Sequence, residues 1–436
     1  MMRSLFLFLF LLLETGLAAC MAPQNAASPI RAGLYVDATR ELGKVSPYAL
    51  GTNHGPWATI TEDVQKEFLA SGVTLIRFPG GNWGDQNYIE GWQFDLFIAQ
   101  AKQVNAEPLI SVRLRGGSVD YAVSLVKYAR GNNYNVRYWS IGNEPSLYQD
   151  YDTEKYNADW RKFALAMKAA DPSILLVGPD TNQFTGDPKI DPKDSQGRDW
   201  LIEFLRANGD LVDVVAVHRY PFPINKGERP TRADLVANTV EWDAIITHLR
   251  QAVREHAKRD LPIAITEFNS SWVGTMGSET SLDSFANALW LADVLGRLIR
   301  ARVDIVGQFT LQSGSDVGGY GLLARDAVRP SYYTYQMWKH FGDQLVDAAS
   351  DNSQISIYAA RKGETLTLML VNLSDQPQTR PITLDHFTPT DKASVRLFDS
   401  THNATEEAAA SVSAKFQYTF PASSVTLLII PGKVTR

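Results

Sequence analysis

Three short stretches of the chain set polar and charged groups directly behind apolar runs: Arg77-Phe78-Pro79-Gly80-Gly81-Asn82-Trp83, Asn143-Glu144-Pro145 and Glu267-Phe268-Asn269. A structural turn needs only Gly, Asn or Asp at such places, so the Arg, the Glu residues and the Trp point to chemistry. Two carboxyl groups facing each other across a substrate can divide the work of breaking an acetal. One protonates the departing oxygen, and the other stabilises or attacks the cationic carbon. Glu144 and Glu267 are the candidates for that pair; either alone would carry little weight, because Glu is common on surfaces. A fixed positive charge at Arg77 would hold a neighbouring carboxylate ionised, although the same guanidinium could serve as a structural ion-pair partner. In Val217-His218-Arg219-Tyr220-Pro221, either His218 or Tyr220 can face such a site, depending on strand phase. Asn53, His54, Trp57, Trp83, Trp272, Gln308, Gln312 and Tyr320 are further lining candidates, each equally readable as packing.

Other chemistries are excluded by what the chain lacks. None of its 7 His forms an i, i+4 pair with metal-ligand character, no His-Glu-x-x-His occurs and there is 1 Cys, so no zinc site is expected. No Gly-x-Gly-x-x-Gly follows the first strand and no nucleophile elbow is present. The carboxylate chemistry needs no metal or organic cofactor. A net charge of −6 with a pI near 5.7 gives no field suited to phosphate backbones, so nucleic acid is not an expected partner. The 10 Trp and 17 Tyr offer faces on which sugar rings stack, although most of them should be core.

These residues need a scaffold that brings distant strand ends together. From position 46 to 341 the chain alternates short apolar, β-branched runs with longer segments of helical period. The runs are Ala49–Asn53, Thr74–Phe78, Pro108–Val112, Val136–Ile141, Leu175–Gly178, Val212–Val217, Ile263–Thr266 and Val303–Gln308. Helices are read at Thr61–Ala70, with Thr61 as cap, and at Tyr121–Arg130, Asp152–Ala170, Leu235–His256, Ser281–Arg300 and Ser331–Phe341. Eight repeats predict an α/β fold, a (β/α)8 TIM barrel in which strands four and seven lie across the mouth from one another. Their C-terminal ends then set Glu144 and Glu267 face to face. From 342 to 436 the texture changes to strands separated by turns, predicting a C-terminal antiparallel β-sandwich that the segment 31–45 joins.

Residues 1–20 read as an address. Arg3 precedes the apolar run Leu5–Leu13, which is too short to span a bilayer, and the segment closes on Leu17-Ala18-Ala19-Cys20, similar to the lipobox of bacterial lipoproteins. That resemblance implies lipidation at Cys20, a tether over 21–30 and an extracytoplasmic protein touching the membrane only through its lipid anchor. An ordinary secretory signal is the alternative.

The strand-end motifs resemble those of the clan A glycoside hydrolases, whose barrels carry Asn-Glu after strand four and a nucleophilic Glu after strand seven. The resemblance implies that Glu144 is the general acid/base and Glu267 the nucleophile, with a carbohydrate substrate, retention of anomeric configuration and carboxyl groups about 5 to 5.5 Å apart. It further implies that Arg77 orients the nucleophile, that Asn143 bonds the sugar 2-hydroxyl, and that His218 or Tyr220 contacts nucleophile or substrate. Where the clan often has Trp after strand eight, this chain has Gln308-Phe309-Thr310. Barrels with an attached sandwich are similar to families 51, 39, 44, 30 and 79, which cover α-L-arabinofuranosidases, β-xylosidases, endo-β-glucanases and β-glucuronidases. The architecture covers nearly the whole chain beyond residue 30, while the specific motifs are the three short ones. A non-catalytic carbohydrate-binding lipoprotein on the same barrel is the rival expectation.

Overall fold

Each of the eight apolar runs is a strand in the computed structural model, which describes residues 32–222, 229–274, 277–314 and 319–435. Cys20 and the tether lie outside the described residues. After β1 (Leu34–Lys44), strands β2 (Tyr48–Asn53), β3 (Leu75–Phe78), β4 (Glu107–Val112), β5 (Tyr138–Ile141), β6 (Leu175–Thr181), β7 (Val214–Arg219), β8 (Ile263–Phe268) and β9 (Ile305–Gln308) close into a parallel barrel in chain order. Closure is made by β2 on β9, with Thr52 opposite Gln308.

The period of two within these strands separates the barrel interior into an apolar floor and a polar mouth. Leu75, Leu109, Tyr138, Val177, Val214, Ala216, Ala264 and Ile305 pack together, apart from the main core. One step of two further along lie Arg77, Ser111, Ser140, His218 and Thr266, all buried. Two positions break the alternation. The β6–β7 register shifts between Pro179 and Thr181, with Asp180 at φ +56°, and the β8 register shifts on both sides around Glu267. Such irregularities re-aim side chains, so Thr266 and Glu267, consecutive in sequence, both serve the mouth.

The helices mostly start where short polar residues can cap. Ser118, Asp152 and Ser284 accept from the backbone N–H of Tyr121, Lys155 and Asn287. Thr61 does not: its hydroxyl donates to the Arg325 carbonyl, and the segment begins as a 3₁₀ turn, Glu62–Val64, before the helix Gln65–Ala70. The span expected as one helix over Leu235–His256 is two α-helices, Arg232–Asn238 and Glu241–Ala252, the second running on into a π turn, Val253–Ala257. The β-branched pair Thr239-Val240 sits at the break, and the Thr239 hydroxyl bonds back to the Val236 carbonyl. The helices Gly91–Gln103 and Trp200–Asn208 fill repeats for which the sequence delimited no helix; the first starts on a capping box of Glu90 and Gln93.

Beyond the barrel come β10 (Gln344–Ser350), β11 (Ile355–Lys362), β12 (Thr365–Asn372), β13 (Gln378–Asp385), β14 (Phe387–Pro389), β15 (Ala393–Phe398), β16 (Thr405–Ala410), β17 (Lys415–Phe420) and β18 (Ser424–Val434). They form a curled sheet ordered β16-β15-β18-β12-β11-β10-β1-β13-β17, with β14 on β18. The fold is thus a TIM barrel with a C-terminal β-sandwich. β1 enters the sheet antiparallel to β10 and parallel to β13, the one parallel pair among the described sandwich strands. The sandwich seats on the barrel through shared core: Tyr358, Met369, Phe398 and Leu427 pack in the same cluster as the barrel helices, and the Tyr358 hydroxyl donates to Asp293 at 2.6 Å. No helix among the described residues is long and apolar enough to cross a membrane.

Candidate active site

The mouth is organised around Arg77, whose side chain is 1 % exposed. Its guanidinium donates to Asn53 Oδ1 (3.1 Å) and Glu267 Oε2 (3.0 Å) through one terminal nitrogen, and to Asn143 Oδ1 (2.8 Å) and Asp180 Oδ2 (3.2 Å) through the other. Burial alone would lower its pKa; the facing carboxylates of Asp180 and Glu267 raise it instead. Arg77 therefore presents a fixed cation to Glu267.

Glu267 is held from its other side by Tyr220, whose hydroxyl donates to Oε1 at 2.6 Å. Burial and the neighbouring carboxylate push the Tyr220 hydroxyl pKa well above its ordinary value, so it stays a donor. His218 takes a different partner: its Nδ1 lies 3.0 Å from Glu144 Oε1 and 4.0 Å from Glu267 Oε2. The expectation that only one of His218 and Tyr220 faces the site is corrected here. Spaced by two along β7 and its extension, they share a face, and each serves one carboxylate.

Glu144 follows β5 in the left-handed region, at φ +47°. A non-Gly residue there carries strain that its surroundings must hold. Its N–H donates to the Asp180 carbonyl (3.0 Å), its carbonyl accepts from Leu147 N–H (2.9 Å), and Asn143 N–H donates to the Tyr148 hydroxyl (3.1 Å). Gly142 lies at φ +81°, a conformation that strains any other residue, and a Cβ there would stand tightly, 3.0 Å from the Tyr148 hydroxyl. Burial raises the pKa of Glu144, with the His218 contact opposing. The side-chain oxygens of Glu144 and Glu267 and the His218 nitrogen lie within 4.8 Å of one another.

These three groups could also offer donors to a metal ion. Arg77 already stands 3.0 Å from Glu267, where such a cation would compete with it. His218 argues the same way. Burial lowers its pKa, but Glu267, Asp180 and Glu144 outweigh this and raise it to about 9, so an ion binding there would have to displace a proton.

Asp180 is the site residue the sequence reading missed. Fully buried, it accepts from Arg77, from Thr266 Oγ1 (2.5 Å) and from the Ser140 hydroxyl, and lies 3.7 Å from His218 Nε2. Burial would raise its pKa, yet Arg77 and His218 hold it well below the carboxylate range. One side chain thereby links β3, β5, β6, β7 and β8. The signal was present: Asp180-Thr181-Asn182-Gln183 stands behind Leu175–Gly178 with the same polar density as the three stretches that were noticed.

A cavity of about 480 Å³ opens over the pair, lined among others by Asn82, Asn182, Gln183, Phe309 and Tyr320, with Leu147 and Trp272 on its rim. Gly81 edges it, at φ +58°, where a Cβ would meet the Phe309 ring at 3.2 Å. Several expected lining residues are displaced from it. Asn53 spends its amide on the carbonyls of Thr266 and Gly307 and on Arg77. Gln308 is buried, bonded to the Phe309 carbonyl. Trp83 packs against the main core. Asn143 lies beneath the cavity, bridging Arg77 and Asn82 Oδ1 (3.1 Å). Trp57 and Gln312 join each other, indole N–H to backbone carbonyl (3.2 Å), and His54 lies outside the cavity. A larger cavity, about 770 Å³, lies at the N-terminal ends of the strands, lined by Lys44, Arg250 and Asp304 among others. There Arg250 is spent on the carbonyls of Ala301 and Arg302 and Asp304 on Ile263 N–H; this end of a barrel supports the fold.

Fold and site together define a (β/α)8 barrel with an appended sandwich and a close carboxylate pair at its mouth. No family model matches the chain. It is 24% identical over 200 residues to a probable α-L-arabinofuranosidase C of Aspergillus flavus, covering 36% of this chain and 40% of that protein. It is 25% identical over 244 residues to an intracellular exo-α-(1→5)-L-arabinofuranosidase of Acetivibrio thermocellus, covering 45% and 46%. The matched region thus spans less than half the length of these curated relatives. Among solved structures, the α-L-arabinofuranosidase from Thermotoga maritima superposes with a TM-score of 0.75 at 18% identity, over 92% of this chain and 100% of that one. A family 44 xyloglucanase from Paenibacillus polymyxa, solved with xyloglucan, gives 0.72 at 15% identity over 92% and 99%. The chain shares their fold.

Proposed function

We propose that this protein is a retaining glycoside hydrolase in which Glu144 is the general acid/base and Glu267 the nucleophile. The observation that carries this is the pair itself: two carboxyl groups within 4.8 Å of each other, in unlike surroundings. With one oxygen of each carboxylate inside 4.8 Å of the other, the gap is shorter than the roughly 6.5 to 9.5 Å between carboxyl groups that inversion needs to seat a water, which favours direct attack. Glu267, bonded by Arg77 and Tyr220, attacks the anomeric carbon while Glu144 protonates the leaving oxygen. Water, deprotonated by Glu144, then displaces the sugar from Glu267 with a second inversion, for net retention. The proposed substrates are polysaccharides or oligosaccharides of the α-L-arabinofuranoside, β-xyloside or β-glucan type; the relatives and structural neighbours include α-L-arabinofuranosidases, a glucanase-xylanase and a xyloglucanase. Leu17-Ala18-Ala19-Cys20 supports the further proposal of a lipid-anchored, extracytoplasmic protein.

The test is hydrolysis of aryl α-L-arabinofuranoside, β-xyloside and β-glucoside. At least one should turn over, and Glu267→Gln should cut kcat by roughly three decades or more. Glu144→Ala should spare activated aryl glycosides relative to natural ones, because a good leaving group needs no acid. Glycan binding without turnover would overturn the reading in favour of a non-catalytic binding protein.

A further inference from the structure

Of the 10 tryptophans in the chain, two are exposed. Trp272, 41% exposed, stands on the rim of the catalytic cavity. Trp92, 63% exposed, is the most exposed of the large hydrophobic side chains among the described residues, and nothing in the proposed reaction uses it. It opens the first turn of the helix Gly91–Gln103, with Leu96 (45% exposed) and Gln100 following at intervals of four on the same face. This face forms one wall of a groove of about 100 Å³ whose other wall is the loop after β2, including Pro56 and Thr59.

Two properties of the groove point to a ligand and to its kind. The first is His54, which lines it: the ring is 3% exposed, its Nδ1 has no hydrogen-bond partner, and burial pushes its pKa down to about 4, so it is neutral at ordinary pH. Of the 20 buried side-chain atoms without a partner among the described residues, His54 Nδ1 is the one that belongs to a residue lining this groove. The second is charge: no Lys, Arg, Asp or Glu lines the groove. An indole face and amide side chains, backed by a buried neutral imidazole, suit a ring that is apolar on its face and hydroxylated at its edge. They offer nothing to a phosphate, an anionic lipid surface or a charged peptide.

The groove also borders the barrel mouth, one loop away from the catalytic cavity. His54 directly follows β2 and Phe78 ends β3, so both lie at the barrel mouth. The intervening loop carries Trp57, whose ring packs 5.8 Å from that of Phe309, a cavity-lining residue. One face of this loop thus backs the catalytic cavity and the other borders the groove.

We propose that Trp92, with Leu96, Gln100 and His54, forms a second, non-catalytic binding site for a neutral polysaccharide, seating a sugar ring on the indole and holding a polymeric substrate beside the cavity. The inference rests on the glycosidase reading for its biological sense, but its test is separate. The inactive Glu267→Gln protein is run in native gels containing soluble xylan, arabinan or β-glucan, alone and combined with Trp92→Ala or Trp92→Phe. At least one polymer should retard Glu267→Gln. Adding Trp92→Ala should weaken that affinity roughly fivefold to tenfold, as for loss of one stacking ring, and Trp92→Phe should restore part of it. In the active protein, Trp92→Ala should leave kcat/KM on small aryl glycosides within about twofold and raise KM on the polymer.

The proposal is overturned if no polymer retards Glu267→Gln, or if Trp92→Ala leaves retardation unchanged. It is also overturned if the variant's one effect is to convert a dimer to a monomer on size exclusion, which would make the face an interface between copies. Trp92-dependent retardation without turnover of any glycoside would sink the catalytic reading alone. Turnover with Trp92-independent retardation would sink the second site alone.

Discussion

Asp180→Asn is the perturbation that probes how the mouth is held together. The substitution keeps the shape and removes the charge that faces Arg77 at 3.2 Å and His218 at 3.7 Å. Thr266 and Ser140 can turn their hydroxyls to meet an amide, but Arg77 has no acceptor to offer. Removing one partner of a buried ion pair costs about 3 to 5 kcal/mol. With an unfolding entropy of about 2.1 cal/mol/K per residue, roughly 400 residues give about 0.85 kcal/mol/K, so Tm should fall by about 4 to 6 °C. A second effect comes through His218. Its folded-state pKa is raised from 6.5 to about 9, so its proton adds stability that is fully present below pH 6.5 and lost as pH rises through about 9. That contribution is about 3 kcal/mol, and loss of Asp180 lowers the folded-state pKa and shrinks it. The deficit of the variant should therefore be larger near pH 6 than near pH 10, by scanning calorimetry across pH. The basic limb of kcat/KM should also move to lower pH, because His218, 3.0 Å from Glu144, releases its proton earlier. A uniform loss of Tm at every pH, with an unmoved rate profile, would refute the role given to Asp180.

Two further outcomes follow from the contacts at the pair. Tyr220→Phe deletes the 2.6 Å bond to Glu267, and a bond to a charged group is worth about 1.5 to 3 kcal/mol, so kcat/KM should fall roughly tenfold to a hundredfold; steady-state kinetics showing no change would remove Tyr220 from the site. Exhaustive treatment with a chelator should leave turnover unaltered, since a protonated His218 and Arg77 occupy the ground a cation would need; activity lost to the chelator and restored by a divalent ion would mean that Glu144, His218 and Glu267 bind metal.

The barrel was legible because its strands are short apolar runs that need both faces buried, and Glu144 and Glu267 because together they close two strands whose ends a barrel sets face to face. Arg77 was legible as a charge at another strand end. What escaped was set by departures from regular geometry. Asp180 reaches the mouth through a register shift and a left-handed residue, neither of which hydrophobic period can show. His218 and Tyr220 read as rivals until their spacing of two was combined with partners on opposite sides of the mouth. Asn53, Trp83 and Gln308 were expected at the cavity because they follow strands, yet nearby carbonyls or apolar side chains claimed them first. The break at Thr239-Val240 had a β-branched signal that helical period over Leu235–His256 masked.

The assignment of roles to Glu144 and Glu267 is tested most directly by trapping the covalent intermediate. The protein is incubated with an activated 2-deoxy-2-fluoro derivative of whichever glycoside it turns over, then digested and mapped by mass spectrometry. The account predicts one sugar ester, on the peptide containing Glu267, abolished in Glu267→Gln and still formed in Glu144→Ala. A label on any other residue, or a protein that inverts anomeric configuration and never accumulates a label, would contradict it.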